Sequence, residues 1–216
     1  MIAEFSWDQF AFLWAATRWT VLLSVLAFIV GGLAGFAVAL MRTSHLQILR
    51  TVSAIYIQIV QGTPVLIILF LSFYGLGIYG FKLPPMVAAT IAMTIYTSAY
   101  LGEIWRGCIE AVPVPQWEAS TALAMTRWQQ LRYVILPQAV RISLPPTVGF
   151  LVQIVKNTSI ASIIGLVELT QAGKLVSNAT FQPFLVFPIV AAIYFILCYP
   201  LSRISFALER KYHGHR

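Results

Sequence analysis

The chain has 216 residues, of which 59% are hydrophobic and only 10% charged, and its mean hydropathy is +0.83. A soluble domain of this length buries a good core, but it cannot hide apolar runs this long behind a polar surface, so lipid is the expected solvent. The formal net charge of +7 would suggest nucleic acid in a soluble protein; here the basic residues sit in short segments between apolar runs, a pattern that orients a membrane protein, and no nucleic-acid partner is expected.

The opening EFSWDQFAFLW carries acids ahead of its first apolar residues, and the run that follows is too long for a signal-peptide core, so the first span is expected to remain in the protein. Between Arg18 and Arg42 lie 23 uncharged residues, enough for a spanning helix over 19–41. A second span is expected over 52–78, between Arg50 and Lys82, ending in the glycine-rich YGLGIYGF. A third, over 84–103, opens at LPPM, where Pro84 and Pro85 suit a helix start. The fourth, over 144–167, starts at Pro145 and Pro146 and contains one charge, Lys156. The fifth runs over 180–203. This predicts an all-α integral membrane protein of five transmembrane helices in a single domain over 1–216, with a long connecting loop over 105–143. Cys108 falls in that loop and Cys198 in an apolar run, so no disulfide framework is implied, and no metal site is expected.

An odd number of spans puts the chain ends on opposite sides. Segments 42–50, 103–141 and 203–216 hold ten Lys/Arg, whereas Arg18, Lys82 and Lys174 stand alone on the other side. That bias puts the N-terminus outside and the C-terminus in the cytoplasm. The tail LERKYHGHR reads as a basic anchor near anionic lipid, with His213 and His215 solvated rather than metal-binding.

The loop reads GEIWRGCIEAVPVPQWEASTALAMTRWQQLRYVILPQAVR. Pro113 and Pro115 stop the preceding helix, and two short amphipathic helices are expected between Gln116 and Arg132, with Trp117, Leu123 and Met125 on one and Trp128, Leu131 and Tyr133 on the next. Such helices either lie on the membrane surface with their aromatics at headgroup level or dock a protein; the residues alone leave both open.

Spacing narrows the choice. Glu118, Ala119 and Ser120 are followed by three residues, Ala124, nine residues, and then Val134, Ile135, Leu136 and Pro137. This resembles the signature of the membrane permease subunits of bacterial ATP-binding-cassette importers, EAA, three residues, Gly, nine residues, Ile-x-Leu-Pro. QGTP at 61–64, AYLGEIWRG at 99–107, KNTS at 156–159 and GLVELTQAG at 165–173 are similar to the branch for polar amino acids. The resemblance covers nearly the whole chain. It implies the type I importer permease fold and a multi-pass place in the bacterial inner membrane. The segment around Glu118 to Ala124 would be a coupling helix that docks a cytoplasmic ATPase, with Trp117, Arg127 and Pro137 beside it. It further implies a second permease subunit, identical or similar, and a soluble substrate-binding protein. Ala124 stands where the family has glycine at a turn with positive φ, which alanine adopts at about 1 kcal/mol or slightly more. ATP and Mg would belong to the partner ATPase, since QAGKL lacks both the first glycine and the Ser/Thr of a phosphate loop and no cofactor is expected on this chain.

Lys156 raises the question of what compensates a charge in the bilayer, which costs about 2.5–3.5 kcal/mol on insertion scales. From Pro146 its helix rises about 15 Å, near the midplane of a core of about 30 Å. By the same rise Gln61 and Thr63 of the second span, and Tyr96, Thr97 and Ser98 of the third, reach a similar height, a coincidence expected of residues facing a watered interior. On an ideal helix Gln153, Lys156 and Asn157 share a face that Thr158 and Ser159 do not. Either the helix opens at KNTS, or Thr158 and Ser159 bond back to their own carbonyls. Pro64 likewise removes an amide donor and would free the carbonyl of Val60. The candidate substrate contacts are Gln61, Thr63, Tyr96, Ser98, Gln153, Lys156, Asn157, Thr158 and Ser159, with Lys156 open to a purely structural role. Glu103 lies close to the inner interface and is expected to pair with Arg106 at i+3.

No catalytic residues are expected, since no His/Asp/Glu cluster meets at midplane depth. The resemblance implies ATP-driven uptake of a polar amino acid. Another small solute (an opine, an osmolyte or a sulfur compound) and a non-transporting ATPase scaffold are the rivals.

Overall fold

The computed structural model describes residues 5–213 apart from Tyr79, and all its regular elements are helical. Glu4 at the chain start, Tyr79 in the glycine-rich stretch, His215 and the side chain of His213 lie outside the described residues. The first helix, α1, spans Trp7–Arg42, starting well before the expected span because Ser6 and Gln9 form a capping box ahead of it. Asp8 in its first turn and Arg42 in its last match the helix dipole.

The span expected over 52–78 is bent in its middle. Helix α2 covers Gln47–Gln61, and the chain then turns by 100° into Val65–Ile78, which comprises α3 (Val65–Phe70), a π turn over Leu71–Gly75 and α4 (Leu76–Ile78). Pro64 is the cause: it cannot donate to the helix behind it, and its own ψ of 134° is extended. The carbonyl of Val60 is not left free, because Thr63 N–H donates to it at 3.3 Å.

Pro84 and Pro85 do begin a helix, α5, over Pro85–Glu110. It runs past residue 103, so Cys108 is buried in a helix rather than placed in a loop. Two short helices follow, α6 (Val114–Ala122) and α7 (Arg127–Gln129). From Arg127 the chain stays helical for 38 residues to Ile164, through a π segment, α8 (Leu136–Asn157) and a 3-10 segment over Thr158–Ile164. Pro145 and Pro146, expected at a helix start, both lie inside α8. The hydroxyl of Ser205 donates to the carbonyl of Pro145 at 2.9 Å, tying α10 to α8 beside the prolines. Helix α9 (Leu169–Thr180) precedes the last helix, α10 (Pro183–His213), so Lys174 sits on a helix, where its Nζ donates to Ser162 Oγ at 3.0 Å.

Among the described residues, three stretches are long and apolar enough to cross a membrane (α1, Arg127–Ile164 and α10), or four if the bent pair is counted as one span. Helix α5 has comparable length at 26 residues, but carries Thr90, Thr94, Thr97 and Ser98 among its apolar positions.

Helices α1 and α5 pack through small residues. A Cβ on Gly31 would meet Thr97 Cβ at 2.6 Å, and one on Gly102 would meet Val38 Cγ1 at 2.8 Å, so only glycine permits this approach. The main core joins α1, α2, α3, α5 and α8 around Leu23, Ile57, Leu69, Met93, Leu101 and Ile154. A second core joins the start of α1 to α9 and α10 through Leu13, Ala16, Leu169, Val176 and Val190. Glu168, fully buried, ties that second core together. Its carboxyl accepts from the N–H groups of Thr170 and Gln171 at 2.9 Å, capping α9, and from Tyr194 of α10 at 2.9 Å and Thr20 of α1 at 3.4 Å.

Candidate functional site

The loop around α6 is stiffened by its own backbone. Helix α6 ends at Ala122, and Ala124 holds φ at +55°, the left-handed value expected at that position. Two bonds close the turn, Met125 N–H to Ser120 O at 3.2 Å and Ala124 N–H to Thr121 O at 2.9 Å. This is the Schellman pattern, in which a left-handed residue lets the last carbonyls of a helix be satisfied. Thr126 then caps α7 in a capping box with Gln129, and buried Gln130 donates to Thr121 Oγ1 and to the carbonyl of Met125. The second of the two expected amphipathic helices is thus the start of the long helical stretch.

Glu118 and Ala119 are exposed on α6, together with Val114 and Leu123, which are 65% and 75% exposed. Ser120 points the other way: it is buried, and its hydroxyl donates to the carbonyl of Trp117 at 2.8 Å. The Arg127 guanidinium lies over the Trp117 ring at 4.0 Å, and desolvation pushes its pKa below the usual arginine value. Pro137 is exposed in the first turn of α8. Glu103 and Arg106 do pair at i+3, at 2.6 and 3.0 Å; Arg106 also bonds Glu110, and Arg42 of α1 stands 3.8 Å from Glu103. These carboxylates hold the Arg106 pKa above its ordinary value.

At mid-height the candidate residues separate into two sets. Thr63, Thr158 and Ser159 donate to carbonyls of their own helices, Ile59, Val155 and Lys156, each at 2.7 Å. The α-helix also tightens to 3-10 at Thr158, so both of the expected outcomes at KNTS occur together. Thr158 is fully buried, and Ser98 is nearly so, meeting the Tyr56 hydroxyl at 2.6 Å and so joining α2 to α5. Thr97 is fully buried against Gly31. These three do not line an opening.

The other set is available. Gln61, Gln153 and Lys156 are exposed, Asn157 and Tyr96 half-buried, and Lys156 has no hydrogen-bond or ion-pair partner among the described residues. Tyr96 faces Asn157 and stacks with Tyr100 and Phe150 at centroid distances of 4.5 and 5.9 Å. Asn157 shares a void with Val65, the first residue after the bend, so the two helix interruptions adjoin. That void measures about 10 Å³, room for one water at most and not for a solute. Thr63 lines a different, apolar cavity with Ile68 and Ile95. Any solute site using Gln153, Lys156 and Asn157 is therefore open on one side. The network of Glu168, Thr20 and Tyr194 escaped sequence reasoning, although an acid just ahead of amphipathic α9 was a legible capping signal.

Comparison with known proteins fits this architecture. Residues 27–214 match the family described as binding-protein-dependent transport system inner membrane component. The chain is 33% identical over 205 residues to a probable amino-acid ABC transporter permease of Bacillus subtilis (strain 168), covering 95% of this chain and 91% of the relative. It is 38% identical over 194 residues to the L-cystine transport system permease of the same organism, covering 89% and 83%. A solved structure described as an amino acid ABC transporter with histidines superimposes with a TM-score of 0.89 at 34% identity, covering 94% of this chain and 95% of that one.

Proposed function

This chain belongs to the family of binding-protein-dependent transport system inner membrane components, and from that premise we propose that it is the permease subunit of an ATP-driven importer for a polar amino acid. The observation that carries the reading is the near-complete superposition on a solved amino acid transporter. A soluble binding protein delivers the amino acid to the outer face, and ATP binding at a separate ATPase moves α6 through contacts at Glu118 and Ala119. ATP and Mg reside on that ATPase, which alone breaks a bond. The N-terminus lies outside and the C-terminus in the cytoplasm.

The open side at mid-height supports a pathway formed between two permease subunits. One chain offers Gln153, Lys156 and Asn157 without enclosing them, and a charge without a partner in the bilayer calls for water, solute or a second chain. The adjoining interruptions at Gly62–Pro64 and Thr158 supply the irregular backbone that membrane proteins keep where a cavity is lined. Switching the pair between inward- and outward-facing states then moves the amino acid past this level. Asn157 offers both a donor for its carboxylate and an acceptor for its ammonium.

Reconstitution into proteoliposomes with the ATPase and the binding protein tests the reading. ATP-dependent accumulation of an amino acid is the expected result. ATP hydrolysis without accumulation of any amino acid would contradict it and favour a scaffold.

A further inference from the structure

At the end of the molecule that carries α6, the turn between α1 and α2 and the loop around α6 line an open cavity of about 290 Å³. Arg42, His45 and Arg50 reach it from the turn, and Trp117 and Arg127 from the loop. Its one acidic lining residue, Glu110, is already bonded to Arg106. Glu103, the carboxylate nearest Arg42, is held by Arg106 from two of its nitrogens. Arg127 Nε is shielded from solvent and has no hydrogen-bond acceptor, and Arg42 Nε has only the Glu103 carboxylate, 3.8 Å away. Trp117 covers one face of the Arg127 guanidinium, which leaves its edge for an acceptor. This is a cationic cavity with unmet donors.

The surroundings say what kind of anion fits. Arg42 closes the apolar run of α1 and Arg50 lies in the first turns of α2, so the cavity sits where hydrocarbon gives way to headgroups. Leu46 and Ile48, in the same turn, are 60% and 67% exposed. Unmet guanidinium donors beside outward-facing aliphatic side chains match a phosphate joined to acyl chains, and neither a free ion nor an acidic protein side chain would use the aliphatic part. We propose that this cavity binds the phosphate of an anionic phospholipid, held by Arg42, Arg50 and Arg127 with its chains against Leu46 and Ile48. The inference rests on the transporter reading only in naming the leaflet as cytoplasmic. The bound lipid joins the membrane-side turn to the docking loop, so lipid composition would tune how firmly α6 is held.

The test uses the purified permease–ATPase complex, delipidated in detergent and titrated with phosphatidylglycerol or phosphatidylcholine, with retained lipid read by native mass spectrometry. Wild type should retain phosphatidylglycerol preferentially. Arg50→Gln should lower its retention about fivefold, the factor that corresponds to about 1 kcal/mol per surface cation, and Arg50→Lys should restore most of it. The lysine variant also shows that any loss in Arg50→Gln is not misfolding. Equal retention by wild type and Arg50→Gln, in a complex whose Arg50→Lys form is intact, would overturn the proposal. Displacement of the lipid by millimolar inorganic phosphate would reassign the cavity to a free anion. Loss of the ATPase from Arg50→Gln with lipid retention unchanged would reassign it to an acidic residue of that partner. None of these readings needs transport, so failure here and failure of the importer reading are separable.

Discussion

The docking loop and the mid-height cluster treat their polar groups in opposite ways. In the loop the turn at Ala124, the capping box at Thr126 and the bonds of Gln130 satisfy backbone and side-chain groups within a few residues. At mid-height the hydroxyls of Thr63, Thr158 and Ser159 turn back into their own helices, while Gln61, Gln153 and Lys156 stand exposed. The loop is held together by its own hydrogen bonds. The cluster leaves Lys156 without a hydrogen-bond or ion-pair partner among the described residues.

If the loop is a docking surface, reversing one exposed charge on it should do the most damage. Glu118→Lys is expected to cut ATP-dependent uptake at least about tenfold, as charge reversal at an interface does, with the permease still expressed and monodisperse; unchanged uptake would remove Glu118 from the contact. The next effect separates the two mid-height sets. Asn157→Leu removes a half-exposed hydrogen-bonding group and should weaken apparent affinity for the amino acid in transport assays about tenfold, the value of a hydrogen bond to a charged group. Normal affinity would mean that Asn157 serves only its neighbour Tyr96. Ala124→Gly relieves a left-handed alanine and should stabilise the complex by up to about 1 kcal/mol, visible as a raised Tm, because the strain removed slightly exceeds the added freedom of the unfolded chain. A lowered Tm would show that the turn is not strained. The smallest effect is expected at Thr158→Val, which deletes a buried hydroxyl already bonded to its own helix. Uptake should stay within about twofold of wild type, and a large loss would move Thr158 into the solute path.

Legibility in the sequence follows the range of the interaction. The left-handed residue at 124 could be found by counting offsets, the Glu103–Arg106 pair from i+3 spacing, and the start of α5 from Pro84 and Pro85, because each is a local event. Pro64 announced an interruption but not its 100° turn, since the direction depends on how α3 packs against α5. Pro145 and Pro146 looked like a helix start yet lie inside one. Nothing local marked Thr20 and Tyr194 as partners of Glu168, for they lie 148 and 26 residues from it. Gln153, Lys156 and Asn157 are neighbours on one helix, and of the expected contacts on other helices Tyr96 faces Asn157. Equal height along ideal helices could not say which way Thr97 and Ser98 point, and close packing of α1 on α5 turned Thr97 inward.

The central claim is that Gln61, Gln153 and Asn157 border a watered passage in the assembled transporter. Single cysteines at these positions, in a background lacking Cys108 and Cys198, can be probed with a membrane-impermeant thiol reagent through the nucleotide cycle. The account predicts modification at 153 and 157 that changes between nucleotide-free and ATP-bound states and is slowed by the amino acid. Protection of all three positions from aqueous reagent in every state would contradict it.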